Sequence, residues 1–275
     1  MTDAFDLDAY LARIGYHGPR TPTLETLRAI HLAHPAAIPF ENLDPLMGRP
    51  VRIDPAALAA KLVQGGRGGY CYEHNTLFRT ALEAIGFQVS GLAARVEWNV
   101  PPGVTLPRTH MLLRVALPEG EHIADVGFGG LTLTAPLRLE PGVEQPTPHG
   151  PFRLVAQGEG AFQLQAHAGG VWRPLYRFDL TETLAADYEV ANWYVSTYPA
   201  SQFLVRLMAA RALEGRRLAL LNDTLTAYHA DGTVERRTVE TADALAELLT
   251  SEFGIELPEG AGEALGRVMG GGGRS

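Results

Sequence analysis

The sequence predicts an α+β fold in three parts, because the spacing of its apolar residues changes twice along the chain. Helical steps of three and four dominate residues 1–86, alternation takes over across 87–190, and residues 191–269 mix the two. Turn chemistry is the second observation: Gly- and Pro-rich breaks divide the middle part into short segments, as in a small barrel or folded sheet. The run from Gly270 to Ser275 is expected to be a flexible tail.

The first helix places Leu7, Tyr10, Leu11 and Ile14 on one face and stops at Gly15. A second carries Leu24, Leu27, Ile30 and His31 and ends near Pro35. Asp54 caps a third, with Pro55 at its first position, running to about Leu62. A fourth spans 72–85, with Phe78, Ala81, Leu82 and Ile85 on one face and Gly86 suited to a left-handed stop. Strands then follow at Phe87 to Val89 and Leu92 to Trp98, ahead of the loop Pro101-Pro102-Gly103. Met111, Leu113, Val115 and Leu117 alternate with their neighbours, and Pro118 to Glu121 turns the chain into His122 to Val126, giving a hairpin. Further strands are expected at 152–156, 162–166 and 171–178, and a polar helical stretch around 183–190. Asp231-Gly232 joins strands at 224–229 and 233–239, and residues 242–253 form a last amphipathic helix.

Composition narrows the function. Hydrophobic content of 46% supports a large core, and one cysteine rules out an internal disulfide framework while fitting a reducing compartment, with cytosol the expectation. The acidic start, Met1 to Asp6, lacks the basic and apolar regions of a signal peptide, and no apolar run reaches membrane-spanning length. A net charge of −8 with almost no lysine argues against nucleic acid as a partner. A small polyanion such as coenzyme A needs only a local basic or amide-lined pocket. The sequence carries no signal for oligomeric state.

That single cysteine, Cys71, stands in Arg67-Gly68-Gly69-Tyr70-Cys71-Tyr72-Glu73-His74-Asn75 at the start of the fourth helix. Unpaired N–H groups and the positive end of the helix dipole stabilise a thiolate there, and the two glycines let the backbone approach a ligand. Free cysteine is otherwise a small buried hydrophobe, so the setting is what marks Cys71 as a nucleophile. A thiol nucleophile needs a base and a group to orient that base. Of nine histidines, His110 is the best placed, at the start of a strand with Asp125 on the returning one. If Leu117 lies opposite His122, His110 and Asp125 share a sheet face but are offset by four residues, about 13 Å. Contact then demands a bulge, another register or strong coiling.

Ile38-Pro39-Phe40-Glu41-Asn42-Leu43, the cysteine segment, Thr109-His110, Asp125-Val126-Gly127-Phe128-Gly129-Gly130 and Trp193-Tyr194-Val195-Ser196-Thr197 together resemble an arylamine N-acetyltransferase of bacterial type. The likeness runs over nearly the whole chain. It implies an N-terminal helical bundle (1–86), a central β-barrel (87–190), and an interdomain segment with an α/β lid (191–269). Around a cysteine-protease-like core it implies a Cys-His-Asp triad of Cys71, His110 and Asp125. The resemblance also implies ping-pong chemistry: acetyl-CoA, a co-substrate rather than a resident cofactor, acetylates Cys71, and an aromatic amine or hydrazine takes the acetyl group. No metal is implied.

By the same resemblance, Phe40 and Phe203 line the acceptor pocket, and Trp98 and His229 neighbour the coenzyme. Phe128, in a glycine-rich turn with less core to enter, is expected to join the pocket, Gly127, Gly129 and Gly130 to allow close backbone approach to substrate or coenzyme, and Thr109, adjoining His110, to contact the coenzyme. Arg67 and Glu41 are expected to pair structurally. Competing readings are a macrolactam-forming amide synthase of the same fold, a cysteine hydrolase, and a binding module that has lost activity.

Overall fold

The computed structural model describes residues 5–101 and 103–271. Pro102, the first four residues and residues 272–275 of the expected tail lie outside the described residues. Helices α1 (Leu7–Arg13), α2 (Leu24–Ala37) and α5 (Cys71–Ile85) pack around Tyr10, Leu27, Ile30, Phe78 and Leu82, all without exposure. Between α2 and α5 come strand β1 (Phe40–Glu41), α3 (Leu43–Leu46) and α4 (Pro55–Leu58). Asp54 caps α4 as expected, its carboxylate accepting from Ala57 N–H, but the helix widens into a π-helical turn at Ala59–Gln64. α5 begins one residue earlier than expected, so Cys71 is its first residue, and Gly86 ends it at φ +105°.

The middle part is an antiparallel sheet of eight strands that nearly closes into a barrel. Its strands are β2 (Gln88–Val96), β3 (His110–Leu117), β4 (Gly120–Ala124), β5 (Leu137–Arg138), β6 (Glu144–Gln145), β7 (Phe152–Ala156), β8 (Ala161–Ala168) and β9 (Val171–Glu182). They run in the order β5-β4-β3-β2-β9-β8-β7-β6. At the gap between the two edges, the Gln145 amide accepts from Arg138 N–H and donates to Arg138 O, so a side chain completes what the ladder leaves open. Pro174, which has no N–H for the ladder, falls at the β8–β9 irregularity.

Helix α6 (Ala185–Thr197) runs unbroken across residues 190 and 191, where the sequence suggested a boundary. After α7 (Gln202–Val205) come four strands, β10 (Met208–Leu213), β11 (Arg216–Leu221), β12 (Thr224–His229) and β13 (Val234–Thr238). They form a second antiparallel sheet whose outer member is β1 from the first part. One face packs Leu218, Leu220 and Leu225 against α8 (Ala242–Ser251) and α9 (Ala261–Gly271). α9 corrects the expected tail: Gly270 and Gly271 belong to a helix that docks through Ala261, Ala264 and Leu265. Among the described residues no helix is long and apolar enough to cross a membrane.

Candidate active site

The cysteine loop is held by three neighbours. Phe40 and Gly69 form a parallel bridge, Glu41 N–H donates to Gly69 O at 2.8 Å, and a Cβ on Gly68 would lie 1.9 Å from Pro39 O. Only a residue without a side chain fits there. Beneath the loop, Arg67 bonds Glu41 at 2.7 Å and Asp44 at 3.2 Å, while Lys61, on the π-helical turn, reaches Asp44 and Glu73 at 2.6 Å each. Glu73 also accepts from Tyr70 N–H at 3.0 Å, holding the first turn of α5. The expected Arg67–Glu41 pair is therefore part of a network of five charges. Burial pushes the Glu73 carboxyl up to about 7 against the pull of Lys61.

His74, three residues after Cys71, packs inward and joins a buried chain. Its Nε2 meets Pro39 O at 3.1 Å, its Nδ1 meets His34 Nε2 at 2.9 Å, and His34 Nδ1 meets the Tyr10 hydroxyl at 2.8 Å. Because a carbonyl only accepts, His74 carries its proton on Nε2, His34 donates from Nε2, and Tyr10 donates to His34. Burial keeps both imidazoles neutral, with His74 lowered to about 4 and His34 well below its ordinary value.

His110 and Asp125 meet: Nε2 lies 2.7 Å from Asp125 Oδ2. The offset expected from sequence is wrong because the hairpin is tighter. Leu117 pairs with Gly120 and Val115 with His122, so Pro118-Glu119 is a two-residue turn and the offset falls to two residues. The ladder also ends at Ala124, freeing the next residues to coil. The Cys71 side chain lies close enough to the His110 ring to raise its pKa. The thiol also donates to Thr109 O at 3.7 Å. Burial by itself would lower the His110 pKa, but the charge and hydrogen bond of Asp125, with Cys71 adding to them, push it up to about 10. Asp125 is fully buried, which would raise its carboxyl, yet His110 and two further donors hold it below the usual range.

Three residues at this site had no role in the sequence reading. Asn75 donates to Asp125 Oδ1 at 3.0 Å and to Met111 O at 2.8 Å, and Tyr176 on β9 donates to Asp125 Oδ2 at 3.0 Å. Thr132 Oγ1 donates to Asp125 O at 3.0 Å. Asn75 stands within the cysteine motif and could have been found there. Nothing in the sequence near Tyr176 or Thr132 marks them.

The remaining expected positions divide. Phe40 and Phe203 come within 6.4 Å, centroid to centroid, and Phe128 sits edge-on to His110 at 5.2 Å. Gly127 is buried, and a Cβ there would lie 2.9 Å from Cys71 Cα, so its bareness serves packing against α5. A Cβ on Gly129 (φ +82°) would contact Phe40, and one on Gly130 would lie 3.2 Å from Ala219 Cβ. Trp98 packs on the barrel core with Arg173 6.0 Å from its ring, and His229 lies 3.6 Å from Glu235. Among the described residues, no hydrogen bond or ring contact joins Trp98 or His229 to Cys71, His110 or Asp125. No three His, Cys, Asp or Glu side chains cluster there as metal ligands.

A buried thiol, an imidazole and a carboxylate stand together on a helix-plus-barrel scaffold, the residue types that nucleophilic thiol chemistry requires. A family model described as N-acetyltransferase matches residues 23–261. The chain is 45% identical over 263 residues to an arylamine N-acetyltransferase of Mycolicibacterium smegmatis, covering 94% of this chain and 95% of the relative. It is 42% identical to that of Escherichia coli over 250 residues, covering 90% and 88%. The solved arylamine N-acetyltransferase of Mycobacterium marinum superposes with a TM-score of 0.92 at 42% identity, covering 96% of this chain and all of that one. The same enzyme in complex with CoA gives 0.92 at 43%, covering 96% and 99%. The chain belongs to the arylamine N-acetyltransferase family and is an acetyltransferase.

Proposed function

We propose that the protein moves an acetyl group from acetyl-CoA to an aromatic amine or hydrazine through an acetyl-Cys71 intermediate. The observation that carries this reading is the His110 ring held 2.7 Å from Asp125 and close enough to Cys71 that the cysteine helps raise its pKa. His110, its pKa raised to about 10, already holds the thiol proton as an imidazolium, and the Cys71 thiolate attacks the thioester carbonyl. The bond to the coenzyme sulfur breaks, and the departing thiolate recovers the proton from the imidazolium. An amine then attacks acetyl-Cys71, His110 accepts the amine proton, and the cysteine sulfur leaves. The CoA complex of a relative 43% identical supports the donor. Phe40, Phe128 and Phe203 would hold the acceptor ring, and Thr109, whose carbonyl lies 3.7 Å from Cys71 Sγ, would meet the coenzyme arm together with Gly127, Gly129 and Gly130. Trp98 and His229 would meet the coenzyme farther from the thioester. A lone reduced cysteine suits the cytosol, where we place the protein.

The test is intact-mass measurement after mixing with acetyl-CoA in the absence of an amine. The parent should gain one acetyl group and Cys71→Ala none, and addition of an aromatic amine should discharge it. A parent that stays unmodified, or a variant acetylated equally, would sink the reading.

A further inference from the structure

Arg217 is a buried charge for which the proposed chemistry has no use. Leu218 and Leu220 face the core beneath α8 and α9, so Arg217 and Ala219 project from the opposite face of β11, toward the turn that follows Asp125. It is 4% exposed, and no carboxylate raises its pKa; burial alone pushes the guanidinium down to about 9. Nη1 donates to Thr132 O at 2.8 Å and, at 3.5 Å, to Gly130 O, while among the described residues Nε and Nη2 have no partner. A cation buried without a counter-charge costs stability. What it holds is the turn carrying Phe128. Thr132 Oγ1 accepts from Phe128 N–H at 3.2 Å and donates to Asp125 O, and Thr132 N–H closes on Gly129 O at 3.0 Å. Asp125 itself has four side-chain bonds that do not involve Arg217.

Resting on the acetyl-transfer reading, we propose that Arg217 is a positioning residue: it fastens the Gly129–Thr132 turn to the second sheet and so fixes Phe128 against His110 for the acceptor step. The imidazole–carboxylate pair stands without it, so the two halves of the reaction separate the roles. In Arg217→Met, alkylation of Cys71 by iodoacetamide at pH 7 should stay within about twofold of the parent, whereas discharge of the acetyl-enzyme by aniline should slow about tenfold or more. The thermal midpoint should not fall, because an unpaired buried cation has been removed. Arg217→Lys, which keeps a donor for Thr132 O, should recover part of the discharge rate. Should Arg217→Met not fold, Arg217→Gln, whose shorter side chain loses the reach to Thr132 O, should show the same selective loss. Unchanged discharge overturns the proposal, and so does a loss in which midpoint, alkylation and discharge fall together. A parent that never forms acetyl-enzyme overturns instead the reading on which the proposal rests.

Discussion

Asp125 leaves none of its polar atoms idle. Its carboxylate accepts from His110, Tyr176, Asn75 and Gly127, its N–H donates to His31 Nε2, and its carbonyl accepts from Thr132. Such a carboxylate fixes the ring it faces in one tautomer and favours the protonated form. Asp125→Asn presents a neutral amide instead, leaving burial free to lower the His110 pKa. Carboxymethylation of Cys71 at pH 7 should then slow by about 10²-fold or more. A variant alkylated at the parent rate would separate thiol reactivity from this pair. Cys71, His110 and Asp125 were legible because each lies in a short motif. Tyr176 and Thr132 were not, since their value comes from partners 51 and 7 residues away that only the folded barrel brings near.

At the scale of elements, periodicity located most helices and strands, and local exceptions defeated it. The β3–β4 register slipped by two residues because a two-residue turn replaced the longer one expected. α9 escaped notice because Gly262, Gly266 and Gly270 depress helical propensity, and β10 and β11 because no turn signal as strong as Asp231-Gly232 separates them. Two glycine substitutions should show the contrast in urea unfolding. Gly68→Ala drives a Cβ into Pro39 O and should cost more than about 3 kcal/mol. Gly266→Ala meets nothing within 4 Å in a helix interior and should gain about 0.5–1 kcal/mol. Equal effects at the two sites would refute the packing account of the cysteine loop.

Across the whole molecule, three imidazoles are folded in neutral: His31 and His74 lowered to about 4, and His34 well below its ordinary value, each by burial first. The unfolded chain binds protons at these sites from about pH 6.5 downward while the folded one does not, so their stability is present above 6.5 and drains away as pH falls toward 4. Glu73, raised to about 7, works in the opposite sense between its folded and unfolded values, and His110, raised to about 10, does so above about pH 6.5, which leaves Glu73 against the three imidazoles below that pH. Unfolding free energy measured by denaturant should therefore decline from pH 6.5 to 4.5, and His31→Gln should flatten that slope. A parent curve that stays level would contradict the neutral cluster. The three parts are also bound in time. β1, which braces the cysteine loop at Gly69, lacks its sheet neighbour β10 until that strand has been synthesised more than 160 residues later, and Asp125 lacks Tyr176 until β9 emerges. A ribosome-bound chain that stops short of β3 holds Cys71 without His110 or Asp125, so on the proposed mechanism it carries the sulfur without its base.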